Sequence, residues 1–226
     1  MTQNATDIST PVSGAATVKV WDIFVRVSHW TVTVAFFIAY FTEDDILTLH
    51  VWAGYTIGVF VVLHIVWGGV GPKHARFSDF MYRPFKVWQY LLKLISFRAK
   101  RYLGHSPAGG AMTFALLIGL AATVWTGLEL YAAEENAGPL ASISRQITPV
   151  VHSEAALIAY ARADDGNDRD EKHGKDDGGL WEDLHELLAN LTLTLVIIHI
   201  GGVLLASIVH RENLARAMVT GRKRAE

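Results

Sequence analysis

Four stretches of this chain are long and apolar enough to cross a bilayer core of about 30 Å. They run from about Phe24 to Phe41, His50 to Val70, Ala111 to Ala133 and Leu184 to Val209. Backbone polar groups in lipid must satisfy one another, so segments of this length fold as helices. Composition agrees: 51% of the residues are hydrophobic, only 19% are charged, and the mean hydropathy is +0.25. Trp21, Trp30, Tyr40, Trp52, Trp67 and Tyr131 fall near the ends of the stretches, as an interfacial aromatic belt requires. The expected fold is an all-α membrane protein, a bundle of four transmembrane helices.

The charges between the spans set the orientation. Lys19 and Arg26 precede or open the first span. Lys73, Arg76, Arg83, Lys86, Lys93, Arg98, Lys100 and Arg101 lie between spans two and three, and Arg211, Arg216, Arg222, Lys223 and Arg224 follow span four. These are fifteen of the twenty basic residues. Glu43, Asp44 and Asp45 sit in the first outer loop, and the long third loop is mostly acidic. The positive-inside rule therefore predicts both termini in the cytoplasm.

Three segments lie outside the spans. Residues 1–18 are small and polar, lack a basic residue before Lys19, and read as a disordered cytoplasmic tail rather than a signal peptide. Residues 83–97 mix basic residues with Phe85, Trp88, Leu92 and Ile95, which suits either a helix on the inner membrane surface or one packed under the bundle. Residues 164–179 form an acidic, glycine-rich run around His173 and read as a solvated outer loop.

Ionisable groups at membrane depth are costly and usually functional. His185 and His199 lie fourteen residues apart in the fourth span. Fourteen steps of about 100° bring the second side chain back to within roughly 40° of the first, about 21 Å further along the axis. The same interval separates His50 from His64 in the second span, and His29 lies in the first. Span direction puts His50 and His185 at the outer level, and His29, His64 and His199 at the inner one. One helix face presenting imidazoles at two depths can hold two stacked haems. The outer pair accounts for one site. The inner haem takes His199 with either His64 or His29, and spacing alone favours His64.

The chain has no cysteine, which excludes disulfides, iron–sulfur clusters, thiolate ligation and covalently attached haem. Any haem is therefore held non-covalently. Gly54, Gly58, Gly68, Gly69, Gly119, Gly127, Gly201 and Gly202 reduce bulk inside the spans, for a flat macrocycle or for close helix packing. Arg26, one turn before His29, is placed to meet a haem propionate.

At these residues the chain resembles the bacterial cytochrome b561 family, which includes the cytochrome b subunits of nickel–iron hydrogenases and of formate dehydrogenase. The resemblance is carried by VWDIFVRVSHW (20–30), LHVWAGY (49–55), WGGVGPKHARFSDF (67–80), RYLGHSPAGGAM (101–112), WEDLHELLANLTLTLVIIHIGGV (181–203) and HRENLARAMVTGRKR (210–224). It implies two haem b groups in a four-helix bundle, with His29 and His199 as axial ligands of the inner haem and His50 and His185 of the outer one. His64 stands where relatives often carry arginine, which implies a propionate-contacting or supporting role. The resemblance also implies a quinone site at the inner end near GHSPAGG (104–110), where Ser106 replaces a frequent asparagine and His105 could move protons.

The expected function is electron transfer by an integral di-haem cytochrome b of the bacterial inner membrane. Electrons would pass between the quinone pool and a periplasmic partner, a cytochrome c or an enzyme subunit, in a direction the sequence leaves open. One rival within the family is a quinone-linked superoxide oxidase, which should show a basic outer funnel. Another, from a different class, is a haem-free histidine-based metal transporter, which should interleave carboxylates with histidines at mid-membrane depth. No nucleic-acid partner is expected.

Overall fold

The computed structural model of the chain describes residues 16–43, 46–141 and 173–225. Its frame consists of helices α1 (Ile23–Phe41), α2 (Leu47–Val70), α5 (Pro107–Glu134) and α6 (His173–His210). Three short helices, α3 (Phe77–Phe80), α4 (Pro84–Ile95) and α7 (Leu214–Thr220), join or follow them. The segments long and apolar enough to cross a membrane are Ile23–Phe41, Leu47–Val70, Pro107–Glu134 and Gly179–His210.

Capping side chains fix several boundaries. The Asp22 carboxylate accepts the Val25 N–H at 3.0 Å and starts α1. Ser106 Oγ accepts the Gly109 N–H at 3.1 Å, with Pro107 in the first turn of α5. Asn213 Oδ1 accepts the Arg216 N–H at 2.7 Å before α7, which stops at Gly221 with φ of 76°. The fourth long helix departs from expectation, because it begins at His173, inside the acidic run read as loop. The rest of that run, 164–172, lies outside the described residues, as do residues 1–15 of the expected tail.

The bundle is built inside out. On α1 the buried residues Val25, Ser28, Ala35, Phe36 and Ala39 share one face, while Ile23, Val27, Val34 and Ile38 point outward. On α2, Ala53, Ile57 and Val61 recur every fourth residue on the buried side. α1 packs on α2, α2 on α5, and α5 most extensively on α6. Small residues allow that approach: a Cβ on Gly119 of α5 would lie 3.0 Å from Thr192 Oγ1 of α6. α6 meets α1 through the Tyr40 hydroxyl, which donates to Asn190 Oδ1 at 2.9 Å.

Both ends of the described chain meet at one end of the bundle. Strands β1 (Thr17–Lys19) and β2 (Arg222–Arg224) pair antiparallel, with Val18 opposite Lys223. Thr17 and Val18 were expected in the tail, but Val20 and Trp21 are buried beside Ala75 and Met218, which ties the preceding residues down. Arg101 donates from Nε and Nη2 to the two Glu212 oxygens at 3.1 and 3.0 Å, and also to the Arg224 carbonyl. Lys223 Nζ lies 5.5 Å from the centre of the Trp21 ring. α4 closes this end. Its Tyr90 and Leu94 are buried, and the Tyr90 hydroxyl lies 3.2 Å from His210 Nε2. Its Phe85, Trp88, Leu92 and Ile95 are exposed.

Candidate functional site

Two pairs of histidine rings meet inside the bundle, and α6 contributes one ring to each. Near the end opposite the termini, His50 of α2 faces His185 of α6, with ring centroids 6.0 Å apart and planes at 76°. Nearer the termini, His29 of α1 faces His199 of α6, with centroids 6.4 Å apart and planes at 55°. A metal bonded in line to one nitrogen of each ring, at about 2 Å per bond, would put the centroids about 6 Å apart. Both pairs therefore fit axial ligation of a haem iron.

The surroundings also fit a macrocycle. Beside His50 and His185 lies an open cleft lined by Phe36, Tyr40, Gly54, Thr123, Val124 and Tyr131 among others. A Cβ on Gly127 would lie 2.8 Å from His185 Cε1, so glycine is what lets this ring occupy its position. A Cβ on Gly54, Gly201 or Gly202 would meet nothing within 4 Å, which leaves room beside those stretches.

The two pairs differ in how their rings are held. His50 Nδ1 lies 2.9 Å from the Ala39 carbonyl, and His185 Nδ1 lies 3.0 Å from the Thr123 carbonyl and 3.2 Å from Thr126 Oγ1. Carbonyl acceptors place the proton on Nδ1 and leave Nε2 as the ligating atom. At the other level, His29 Nδ1 is buried without a partner. Arg26 Nε is also buried and unpartnered, while its Nη2 donates to the Val219 carbonyl. An orphaned guanidinium nitrogen one turn from His29 fits a site completed by an anionic group such as a propionate.

The remaining sequence candidates lie between this level and the termini. His64 is close enough to interact electrostatically with Asp22, His29 and His105, but its ring forms no pair with His199. The fourteen-residue interval puts His64 at the right depth, yet it is α1 that brings an imidazole to His199. His105 is packed 4.1 Å from the Phe80 ring and 4.7 Å from Trp21, with Nδ1 unpartnered. Burial, reinforced by the nearby Lys223 ammonium, holds its pKa down to about 4. It is therefore neutral at physiological pH. Ser106 is engaged as the α5 cap.

Sequence reading passed over Thr123, Thr126 and Thr192. Thr126 and Thr192 are buried, and Thr123 Oγ1 lies 3.2 Å from Thr192 Oγ1. Their signal was available, since each is a hydroxyl at membrane depth one to two turns from a glycine or histidine already singled out. Asp22 was also missed: its second oxygen accepts from Trp67 Nε1 at 3.3 Å, joining α1 to α2.

No curated protein and no solved structure matches the chain. The family model for prokaryotic cytochrome b561 matches residues 20–221, which include all four spans and every histidine of the two pairs. With two ring pairs suited to iron inside a bundle of membrane-length helices, the chain belongs to the prokaryotic cytochrome b561 family and is a membrane haem b electron-transfer protein.

Proposed function

We propose that this protein is a di-haem cytochrome b of the bacterial inner membrane, passing single electrons between membrane quinone and a redox partner outside the membrane. The observation that carries the reading is the placement of two histidine pairs at two depths on one helix, each at a centroid separation suited to iron. Both termini are cytoplasmic in this reading, because the basic residues gather at the end where β1 and β2 pair. The His29–His199 level is then the inner one and the His50–His185 level the outer one.

Haem iron supplies one-electron redox chemistry when bound. The chain's own residues do the rest. His29 and His199 would hold the inner group, and His50 with His185 the outer one. Arg26 Nε would meet an inner propionate, with His64 close by. The spans exclude water, and the fourteen-residue interval sets the two levels about 21 Å apart along α6. Quinone exchanges at the inner end beside the His105–Ser106 segment, where His105 is a neutral buried imidazole able to pass a proton. The exposed face of α4, with Phe85, Trp88, Leu92 and Ile95 on a helix that also carries Lys86 and Lys93, rests on the inner leaflet.

Charge separates this reading from superoxide oxidation. The outer end exposes Glu43, Glu134, Glu135, Glu182, Asp183 and Glu186. Such a surface repels an anion and favours a cationic partner. The test is transmembrane transfer in vesicles containing the protein and a membrane quinone, with ferricyanide trapped inside and reductant outside. Reduction of the trapped acceptor should require both the protein and quinone. Transfer that ignores quinone would overturn the quinone link, and no transfer by protein loaded with haem would overturn the electron-carrier reading.

A further inference from the structure

The two histidine pairs are held by different hydrogen bonds, and that difference bears on redox potential. A histidine that donates its Nδ1 proton to a carbonyl becomes a more basic ligand at Nε2. A more basic axial ligand stabilises ferric over ferrous iron and so lowers the reduction potential. At the outer level both rings have such acceptors: the Ala39 carbonyl for His50, and the Thr123 carbonyl with Thr126 Oγ1 for His185. At the inner level His29 Nδ1 has none, and no hydrogen bond holds the His199 ring among the described residues.

Charge acts in the same direction. The outer cleft is lined by Glu43, and Glu129 lies one turn beyond Thr126. A carboxylate near the iron favours the ferric state. The inner level has the Arg26 guanidinium one turn from His29, which favours the ferrous state. Hydrogen bonding and charge therefore push the two sites apart rather than offsetting each other.

We infer that Thr126 is a positioning residue for the outer haem ligand His185, and that hydrogen bonding at His50 and His185 makes the outer haem the lower-potential centre of the two. This rests on the di-haem reading above. Thr126 is suited to the role because its side chain is buried and fixed. Its hydroxyl donates to the Ala122 and Thr123 carbonyls, both at 3.1 Å, which leaves an oxygen lone pair for the His185 N–H. The nearly isosteric Thr126→Val keeps the volume and removes one of the two acceptors, leaving the Thr123 carbonyl at 3.0 Å. Thr126→Ser keeps the acceptor.

The experiment is a spectroelectrochemical titration of purified holoprotein, with the outer haem identified as the one lost in His50→Ala. Haem content is measured on each sample first. In the parent protein the outer haem should titrate at the more negative potential. Thr126→Val should shift the outer haem to a more positive potential, leave the inner haem where it was, and retain two haems. Thr126→Ser should restore the parent value. Equal potentials, an outer haem more positive than the inner one, or no movement in Thr126→Val would overturn the inference while leaving the di-haem reading intact. A parent protein with one haem or none would instead overturn the di-haem reading. Should Thr126→Val lose its outer haem, the same titration is read on Thr126→Ala, which also lacks the hydroxyl: an outer haem moved to a more positive potential supports the role, and an unmoved one contradicts it.

Discussion

At the outer level, main-chain carbonyls hold both ring Nδ1 atoms, and a cleft opens beside the rings toward an acidic surface. At the inner level, His29 Nδ1 and Arg26 Nε are buried without partners, beneath a cap built from both chain ends, α4 and α7. The same ligand type is thus set in two environments. The outer site is ordered by the bundle's own backbone. The inner site has polar atoms in place that nothing among the described residues satisfies, and so depends more on what it binds. The contrast shows that a repeated histidine interval fixes depth, while neighbouring helices decide how each ring is held.

Ligand removal is the largest expected effect. His185→Ala should remove only the outer haem and His199→Ala only the inner one, read as loss of half the haem per chain with distinct difference spectra. Loss of the same haem in both variants would collapse the two levels into one. If His64→Ala removed the inner haem while His29→Ala kept it, the inner pairing would have to be redrawn.

Next in size is the cap. Breaking the bidentate Arg101–Glu212 pair, whose side chains are 20% and 9% exposed, should cost about 3 kcal/mol because it strands a largely buried charge. Arg101→Ala should therefore lower the Tm in detergent and loosen the inner haem before the outer one. Equal loss of both haems would mean that the cap does not serve the inner level in particular.

The cap should also respond to pH. His105 has a folded pKa of about 4, below its ordinary 6.5, because burial disfavours the charged ring. The unfolded chain binds the proton more readily, so the stabilisation is present above pH 6.5 and is lost as pH falls toward 4. The expected loss at pH 4 is on the order of 3 kcal/mol, measured as a falling Tm that His105→Gln flattens. A slope unchanged in that variant would assign the acid sensitivity to another group.

A smaller effect is expected at Gly127. Its Cβ position lies 2.8 Å from His185 Cε1, so Gly127→Ala should displace that ring and reduce outer haem occupancy without touching the inner site. Full occupancy would show that the helices can give way there.

Much of this was legible in the sequence, for physical reasons. Lipid permits few backbone solutions, so the four apolar stretches specify the helices. The interval from His185 to His199 places two rings at two depths because helix geometry is regular. Spacing favoured His64 as the partner of His199, whereas the bundle brings His29 there, because the choice depends on which helix packs against α6 at that depth. The carbonyls of Ala39 and Thr123 carry no side-chain signature, so their hold on the ligands was invisible. The β1–β2 pairing escaped notice because three-residue strands have too short a pattern to read. The helix at His173 escaped because its acidic, glycine-rich sequence suggests solvated loop.

The central claim is that one bundle carries two haem sites at two depths. Pyridine haemochrome analysis of detergent-purified protein, expressed with adequate haem supply and paired with a reduced-minus-oxidised spectrum, tests it most directly. The account predicts two b-type haems per chain with low-spin bands. A single haem would mean that one histidine pair is not a site, and a value near zero would contradict the account and return the histidines to metal transport.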